Sequence, residues 1–470
     1  MTNIYVHIAT NNLKRIYMKS LLIIGAGPGG YECALRAAKS GLDVHVVDRA
    51  EHIGGTCLNE GCIPTKCLCH TAEVLEMAKV AQTYGVVSDA TQFNIEAALE
   101  RKNNVVTQLK QGIRTLLSTP GITFHDGEAR FLPNDAHSVK VGDDVITADY
   151  VFIATGSVSK YLPVPGAHSE GVLTSTELLS LNEVPSRLCI IGGGVIGLEF
   201  AGIFNSFGSK VTVIEYCKEI LPNFDRDIAK RLRTSLKKQG IEFITGAPVT
   251  AIHVDSTNNN EIHVSYEYRN AVHDCLADKV LMAVGRGANL SSLNLDEAGI
   301  AYTKKGITVD EHMQTNVSGV YAVGDINGLC QLAHAATFQS YCALSHVLGN
   351  ADFKVDLSIV PAAVFTTPEA AMVGLTEEEA KAQNIEIKVH KAFYRANGRA
   401  LAMDAGGDGL VKIIAHDDIV VGAHILGAHS SELIHEIALL MSKQGTLADI
   451  RNCIHAHPTL SELVLQAAES

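Results

Sequence analysis

The stretch Ser20–Asp48, SLLIIGAGPGGYECALRAAKSGLDVHVVD, decides the fold. An apolar run is followed by a glycine-rich turn, a helix-like segment and a second apolar strand that closes on an acid. Gly25, Gly27 and Gly30 stand as GxGxxG between strand and helix. In that pattern the first glycine permits a tight turn, the second lets a pyrophosphate approach the backbone, and the third lets the helix pack close to the strand. The helix N-terminus adds free N–H groups and partial positive charge for the phosphates. Asp48 is expected to accept hydrogen bonds from a ribose.

Residues 187–215, RLCIIGGGVIGLEFAGIFNSFGSKVTVIE, repeat the design with Gly192, Gly194, Gly197 and a terminal Glu215. The duplication predicts an α/β fold with two Rossmann-like dinucleotide-binding domains. A carboxylate at Glu215 binds ribose hydroxyls and repels a 2′-phosphate, which selects NAD over NADP. Only one cation, Lys218, follows closely. Two such sites imply two redox cofactors exchanging a hydride.

Working outward, 470 residues at roughly 100–200 per domain predict about three domains. Further strands are expected at 150–154, 279–284 and 319–323. From about Ala351 the texture changes: GLVKIIAH and IVVGAHILG alternate as antiparallel strands and 431–444 reads as a helix, predicting a C-terminal α+β domain. Boundaries near 157, 285 and 350 divide the chain into 1–157 with an N-terminal arm 1–17, 158–285, 286–350 and 351–470.

Composition sets the outer bounds. With 47 % apolar and 19 % charged residues the chain is globular. Lys and Arg number 38 against 51 Asp and Glu, a net 38 − 51 = −13, which repels nucleic acid. No window supplies the roughly 18–20 uninterrupted apolar residues of a spanning helix. The first 18 residues lack a secretory h-region. Eleven scattered cysteines suit a reducing compartment, so a bacterial cytoplasm is expected. Most of them (Cys33, Cys189, Cys217, Cys275, Cys330, Cys342, Cys453) read as small buried hydrophobes.

Cys57 and Cys62, in GGTCLNEGCIPTK (54–66), need a different explanation. A strand end and helix start can bring such a pair within disulfide distance, and a helix N-terminus lowers a thiol pKa, so they read as a redox pair. Two buried thiols or half of a zinc site are the alternatives, although zinc spacing is more usually CxxC. Cys67, Cys69 and His70 read as helix packing rather than a metal cluster, and no metal is expected.

GGTCLNEGCIPTK, the two GxGxxG units, AVGD (322–325) and HAHPTLSE (455–462) together resemble the flavin-dependent pyridine nucleotide disulfide oxidoreductases, and within them the dihydrolipoamide dehydrogenase family. The resemblance covers the chain from about Met18 to its end, with the motifs in the family's order. It implies FAD on the first unit, NAD on the second, and a homodimer held by the C-terminal domain. For FAD it implies the contacts Gly25, Gly27, Gly30, Asp48, Gly55, Thr56, Lys66 and Ala129. The same contact set continues with Thr155, Gly156, Ser157, Asp325, Leu332, Ala333 and His334. For NAD it implies Gly192, Gly194, Gly197, Glu199, Glu215, Val249 and Gly285.

The resemblance also implies the chemistry. Cys57 exchanges with a dihydrolipoyl thiol and Cys62 faces the flavin. His457, aimed by Pro458 and oriented by Glu462, forms a dyad that reaches across the dimer to the partner subunit's Cys57. His455 reads as structural. Lys66 lies by the flavin, paired with Glu199. The partners implied are the lipoyl domains and E2 subunits of 2-oxo acid dehydrogenase complexes or the glycine-cleavage lipoyl carrier protein, with no nucleic acid or membrane. A glutathione-type reductase is the nearest alternative, disfavoured by Glu215 without following arginines; a mercuric reductase would want a terminal cysteine pair where this chain ends QAAES. A flavoprotein acting mainly as an assembly subunit is disfavoured by the intact Cys57, Cys62, His457 and Glu462 set. Three positions depart from the family's pattern: AATFQS follows Leu332-Ala333-His334 in place of a basic residue and acidic run, GRGAN (285–289) lacks a proline, and Asp48 replaces the commoner glutamate. The first of these bears on helix packing beside the flavin.

Overall fold

The structure, a computed structural model, describes residues 18–87, 91–258, 260–291 and 293–470. The expected arm 1–17 lies outside the described residues. The chain forms two compact units. The first comprises Met1–Pro64, Asn103–Val158 and Arg286–Val355; the second comprises Thr65–Lys102, Ser159–Gly285 and Asp356–Ser470.

The first unit is built on a five-stranded sheet in the order Val320–Ala322, Tyr150–Ile153, Ser20–Ile24, Asp43–Asp48, Ile122–Asp126. All its pairings are parallel. Parallel strands are covered on both faces and therefore read as unbroken apolar runs, as LLII does. One face buries Leu21 and Ile23 against Cys33, Ala34 and Ala37 of the helix Pro28–Lys39 and Ala343 and Leu344 of the helix Ala333–Val347. The other buries Leu22 and Ile24 against Phe131, Val139 and Ile146 of an antiparallel sheet, Ala129–Leu132, Asp135–Val141 and Asp144–Thr147. Each such fully buried side chain contributes about 1.5–3 kcal/mol. The expected strands 150–154 and 319–323 end one or more residues earlier than their apolar runs, where the chain turns into glycine loops.

The second unit repeats this plan. Its parallel sheet runs Glu242–Thr245, Lys210–Glu215, Arg187–Ile191, Lys279–Met282, Val172–Leu173. Leu188 and Ile190 face the helices Val195–Phe207 and Arg226–Lys238, while Cys189 and Ile191 face an antiparallel sheet, Val249–Asp255, Glu261–Tyr268 and Ala271–Ala277. The C-terminal part is a five-stranded antiparallel sheet packed on the helices Ser430–Met441 and Glu462–Glu469. The two alternating segments pair as expected, Leu410–His416 with Ile419–Gly427. They join through Asp417 and Asp418 at φ 46° and 72°, the doubly left-handed turn that suits strand twist. The helix expected over 431–444 stops at Met441, because Gln444 takes φ 54° and Gly445 follows it.

The cysteine reading needs correction. Cys33, Cys189 and Cys342 are buried, but Cys217, Cys275 and Cys330 are half-buried and Cys453 is exposed. Cys275 stands on an edge strand whose outward residues meet solvent, and Cys453 follows the short helix Leu447–Arg451.

Candidate active site

Two glycine turns carry the same geometry. In the first unit a Cβ at Gly25 would lie 2.4 Å from Ala154 O, and one at Gly30 would lie 1.9 Å from Gly25 O. In the second, Gly192 and Gly197 meet Ala283 O and Gly192 O at 2.3 and 2.0 Å. These four glycines are demanded by backbone packing. The middle glycines are not. A Cβ on Gly27 would approach nothing nearer than 3.7 Å, and one on Gly194 nothing within 4 Å, with φ at −73° and −80°. Both middle glycines also serve as N-caps without a side-chain cap; in the first helix Pro28 has no N–H and Gly30 N donates to Gly27 O at 2.9 Å.

Asp48 and Glu215 bond back to the glycine turns. Asp48 Oδ2 accepts from Ala26 N at 2.7 Å and Oδ1 from Arg49 N at 2.8 Å. Glu215 Oε2 accepts from Gly193 N at 2.5 Å and Oε1 from Cys217 N at 2.6 Å. Each acid therefore latches the glycine turn from the end of the next strand. Burial pushes the Asp48 carboxyl up against these two backbone bonds. In the second unit the chain returns beside Glu215, where Ala247 N donates to Glu215 O, and Val249 opens the next strand two residues later.

The cysteine motif is built onto the first glycine turn. Gly54 and Gly55 take φ 93° and 62°, Gly54 N donates to Ala26 O at 2.9 Å, and a Cβ on Gly55 would lie 2.7 Å from Gly27 Cα. That approach starts the short helix Gly55–Asn59, which holds Thr56 and Cys57; Cys62 is the first residue of the next helix, Cys62–Val80. Both cysteines thus stand on helices, rather than one at a strand end, and both are half-buried. A Cβ on Gly61 would lie 2.8 Å from Thr56 O, so only glycine lets the chain fold back over Cys57. Asn59 Nδ2 ties the loop by donating to His52 O, Ile53 O and Gly55 O at 3.2, 3.1 and 2.9 Å, and His52 Nε2 meets Glu60 Oε1 at 3.0 Å. Neither Asn59 nor His52 follows from spacing, since their partners are backbone carbonyls and a contact eight residues away. Tyr31, pushed up to about 12 by burial and Glu32, also feels the charge of Cys57.

Asp325 lies in the turn after Val320–Ala322 and accepts from Ser157 Oγ at 2.5 Å. Arg286 donates to Ser157 Oγ and O at 2.9 and 2.7 Å. Burial raises the Asp325 carboxyl, opposed by Ser157 and Arg286. Arg286 was not among the expected residues; its signal is its place directly after Gly285, itself at φ 102° with open space where a Cβ would stand. Asn289 holds the neighbouring loop, its N–H donating to Gly156 O at 3.0 Å and its amide to Thr155 O at 3.4 Å. Ala129 is buried and opposite Val141 in the antiparallel sheet.

The unusual AATFQS segment packs well. Leu332 is the N-cap of the helix Ala333–Val347, whose Ala336 Cβ sits 2.9 and 3.4 Å from the Cβ positions of Gly324 and Gly29. Fully buried Gln339 accepts from Gly324 N and Asn327 Nδ2, both at 2.7 Å, so a neutral amide fixes the Asp325 turn. His334 is exposed.

In the second unit Lys66, one turn along the helix from Cys62, donates to both oxygens of Glu199 at 2.9 and 3.0 Å. Glu199 is buried and also accepts from Phe365 N at 3.0 Å; the Lys66 ammonium stands 4.6 Å from the Phe365 ring centre. Cys69 is buried and His70 pairs outside with Glu73 at 3.0 Å. Among the described residues no three His, Cys, Asp or Glu side chains converge as a metal site.

His457 Nδ1 donates to Glu462 Oε1 at 3.0 Å, and Thr459 N donates to Glu462 Oε2 at 2.8 Å. The Thr459 N–H first, and His457 second, hold the Glu462 carboxyl below its ordinary value. With Nδ1 committed, Nε2 is the nitrogen left to accept a proton. His457 precedes a cis proline and is 81 % exposed. His455 is instead enclosed, 4 % exposed, with Nε2 on Glu436 at 2.8 Å.

Comparison with known proteins agrees with this geometry. The family model described as pyridine nucleotide-disulphide oxidoreductase matches residues 19–340, and that of its dimerisation domain matches 360–468. A dihydrolipoyl dehydrogenase of Bacillus subtilis is 39 % identical over 461 residues, 95 % of this chain and 97 % of that protein. The solved Cu(II) complex of the HOCl-induced flavoprotein disulfide reductase RclA of Escherichia coli superposes with a TM-score of 0.85 at 32 % identity, covering 96 % of this chain and 99 % of that one. LpdA of Mycobacterium tuberculosis gives a TM-score of 0.88 at 27 % identity over the same shares. The glycine turns, the cysteine helix docked on the first of them and the matched C-terminal domain lead to one assignment: the chain belongs to the pyridine nucleotide-disulphide oxidoreductases.

Proposed function

We propose that this chain is a FAD-dependent dihydrolipoamide dehydrogenase, which reoxidises protein-bound dihydrolipoyl groups and reduces NAD. The observation that carries the reading is the contact of Gly55 with Gly27, which builds the Cys57 helix onto a dinucleotide turn. In this reading 1–157 with 286–350 hold FAD, 158–285 holds NAD and 351–470 forms the dimer. Glu215, buried at the end of its strand with no arginine closely after it, favours NAD. When bound, FAD takes the electron pair from the dithiol and NAD accepts it as hydride.

The protein's own residues supply thiol exchange. His457 Nε2 takes the proton of a dihydrolipoyl thiol, and Glu462 stabilises the resulting cation. The substrate thiolate attacks Cys57 Sγ of the oxidised pair, forming a mixed disulfide and releasing Cys62 as a thiolate. The second substrate thiol then attacks the substrate sulfur of that mixed disulfide, closing the lipoyl ring and releasing Cys57; the two substrate electrons now rest on the Cys57 and Cys62 sulfurs. Lys66, fixed by Glu199, supplies a positive charge one helical turn after Cys62. Partners of this chemistry are the lipoyl domains and E2 subunits of a 2-oxo acid dehydrogenase assembly or a glycine-cleavage lipoyl carrier. No helix among the described residues is long and apolar enough to cross a membrane, and a cytoplasmic enzyme fits these partners.

Dihydrolipoamide supplied with NAD or NADP, followed by the appearance of reduced nicotinamide, tests the reading: turnover with NAD alone is expected. Cys57→Ser should abolish that turnover while NADH still bleaches the flavin. Turnover only with glutathione disulfide and NADPH, or lipoyl turnover in Cys57→Ser, would overturn it.

A further inference from the structure

A second pair of cysteines meets in the nucleotide domain, far in sequence from the first. Cys189, on the strand Arg187–Ile191, is 1 % exposed. Cys275, on the edge strand Ala271–Ala277, is half-buried and packs on the same cluster from the antiparallel sheet. The two thiols pack in one cluster and each acts on the other, with Thr212, the register partner of Cys189, beside them. None of the cofactor or thiol-exchange chemistry uses either residue. We propose that Cys189 and Cys275 form a second, oxidant-sensitive dithiol that a peroxide closes into a disulfide, tying the antiparallel sheet to the strand that leads into the Gly192 turn.

The environment divides the roles. Cys275 is the less buried, and its thiol is drawn down first by the neighbouring Cys189 and then by Thr212 and the charge of Lys210, against burial and Glu242; the neighbouring Cys275 first, and burial second, push Cys189 well up. Cys275 is therefore the nucleophile. Its thiolate attacks one oxygen of hydrogen peroxide, the O–O bond breaks, and hydroxide leaves and becomes water, giving a sulfenic acid. The Cys189 sulfur then attacks the Cys275 sulfur; the S–S bond forms, the S–O bond breaks, and the departing hydroxide carries off the Cys189 proton as a second water. Two thiols and one peroxide give one disulfide and two waters. The thiols lose the two electrons that the peroxide gains.

Tryptic digestion separates the two pairs cleanly. Leu188–Lys210 holds Cys189 alone, Asn270–Lys279 holds Cys275 alone, and Cys57 and Cys62 share Ala50–Lys66. The holoenzyme would be treated with hydrogen peroxide, quenched with catalase, alkylated in acidic denaturant and mapped by mass spectrometry without reductant. The expected result is joint loss of both alkylated peptides and appearance of their disulfide-linked product, reversed by dithiothreitol. Cys275→Ser should keep its dihydrolipoamide turnover and, after the same treatment, return Cys189 fully alkylated. Recovery of both wild-type peptides in alkylated form would overturn the proposal, as would Cys275 as a sulfinic or sulfonic acid, or joined to another cysteine.

Discussion

Glu462 carries two hydrogen bonds with different duties: Thr459 N fixes the carboxylate, and the carboxylate fixes His457. Glu462→Gln keeps the shape but removes the charge that favours an imidazolium, so kcat for dihydrolipoamide should fall about 10²-fold with little change in KM. Because Thr459 and His457 hold the carboxyl below its ordinary value, its contribution is complete above the usual carboxylate range and is lost as pH falls through the lowered value. The ratio of wild-type to Glu462→Gln rates should accordingly be flat near neutrality and shrink in acid; a ratio that grows as pH falls would reject the orienting role. This pair was legible because HPTLSE is a local string. Asn59, Arg286 and Gln339 were not, because they act on backbone atoms or on residues distant in sequence, and such contacts leave no spacing to read. The bonds from Asp48 and Glu215 back to their glycine turns were not legible either, since they appear only once the strand is laid beside the turn.

The glycine turns show how much an element's sequence says, and where it stops. GxGxxG announced strand, turn and helix twice, and the structure separates the glycines that packing requires from those it does not. Gly30→Ala and Gly197→Ala would drive a Cβ to 1.9 and 2.0 Å from a carbonyl oxygen and should give unstable, poorly expressed protein. Gly27→Ala meets no protein atom nearer than 3.7 Å, so it should fold but purify with little flavin absorbance. Gly194→Ala, with nothing within 4 Å, should keep its yellow colour and raise KM for NAD at least about tenfold, the cost of roughly 1.4 kcal/mol of lost contact. Absorbance, thermal melting and NAD titration together distinguish the four; a flavin-replete Gly27→Ala would contradict the cradle. The antiparallel sheets Ala129–Thr147 and Val249–Ala277 escaped the sequence reading, because alternating strands such as Glu261–Tyr268 are half-exposed and marked by no motif.

The protomer's exposed groups bear on how the dyad works. His457 is 81 % exposed, and Ile454 and Leu439 are 97 % and 66 % exposed, all within the region that matches the dimerisation domain. A general base left in open water loses much of its advantage, and apolar side chains this exposed are ordinarily covered. Both facts accord with a dyad that serves the other protomer, and mixed dimers test it. One chain carries Cys57→Ser with its own His457; the other carries His457→Gln with its own Cys57. If the dyad acts across the dimer, one of the two sites is intact and the other lacks both groups, so the heterodimer should turn over dihydrolipoamide at about half the wild-type rate per dimer, while each parent homodimer is nearly inactive. If it acts within one chain, each site lacks one group and the heterodimer is as inactive as its parents. Co-expression with two affinity tags isolates the mixed species, and NADH formation reads the outcome.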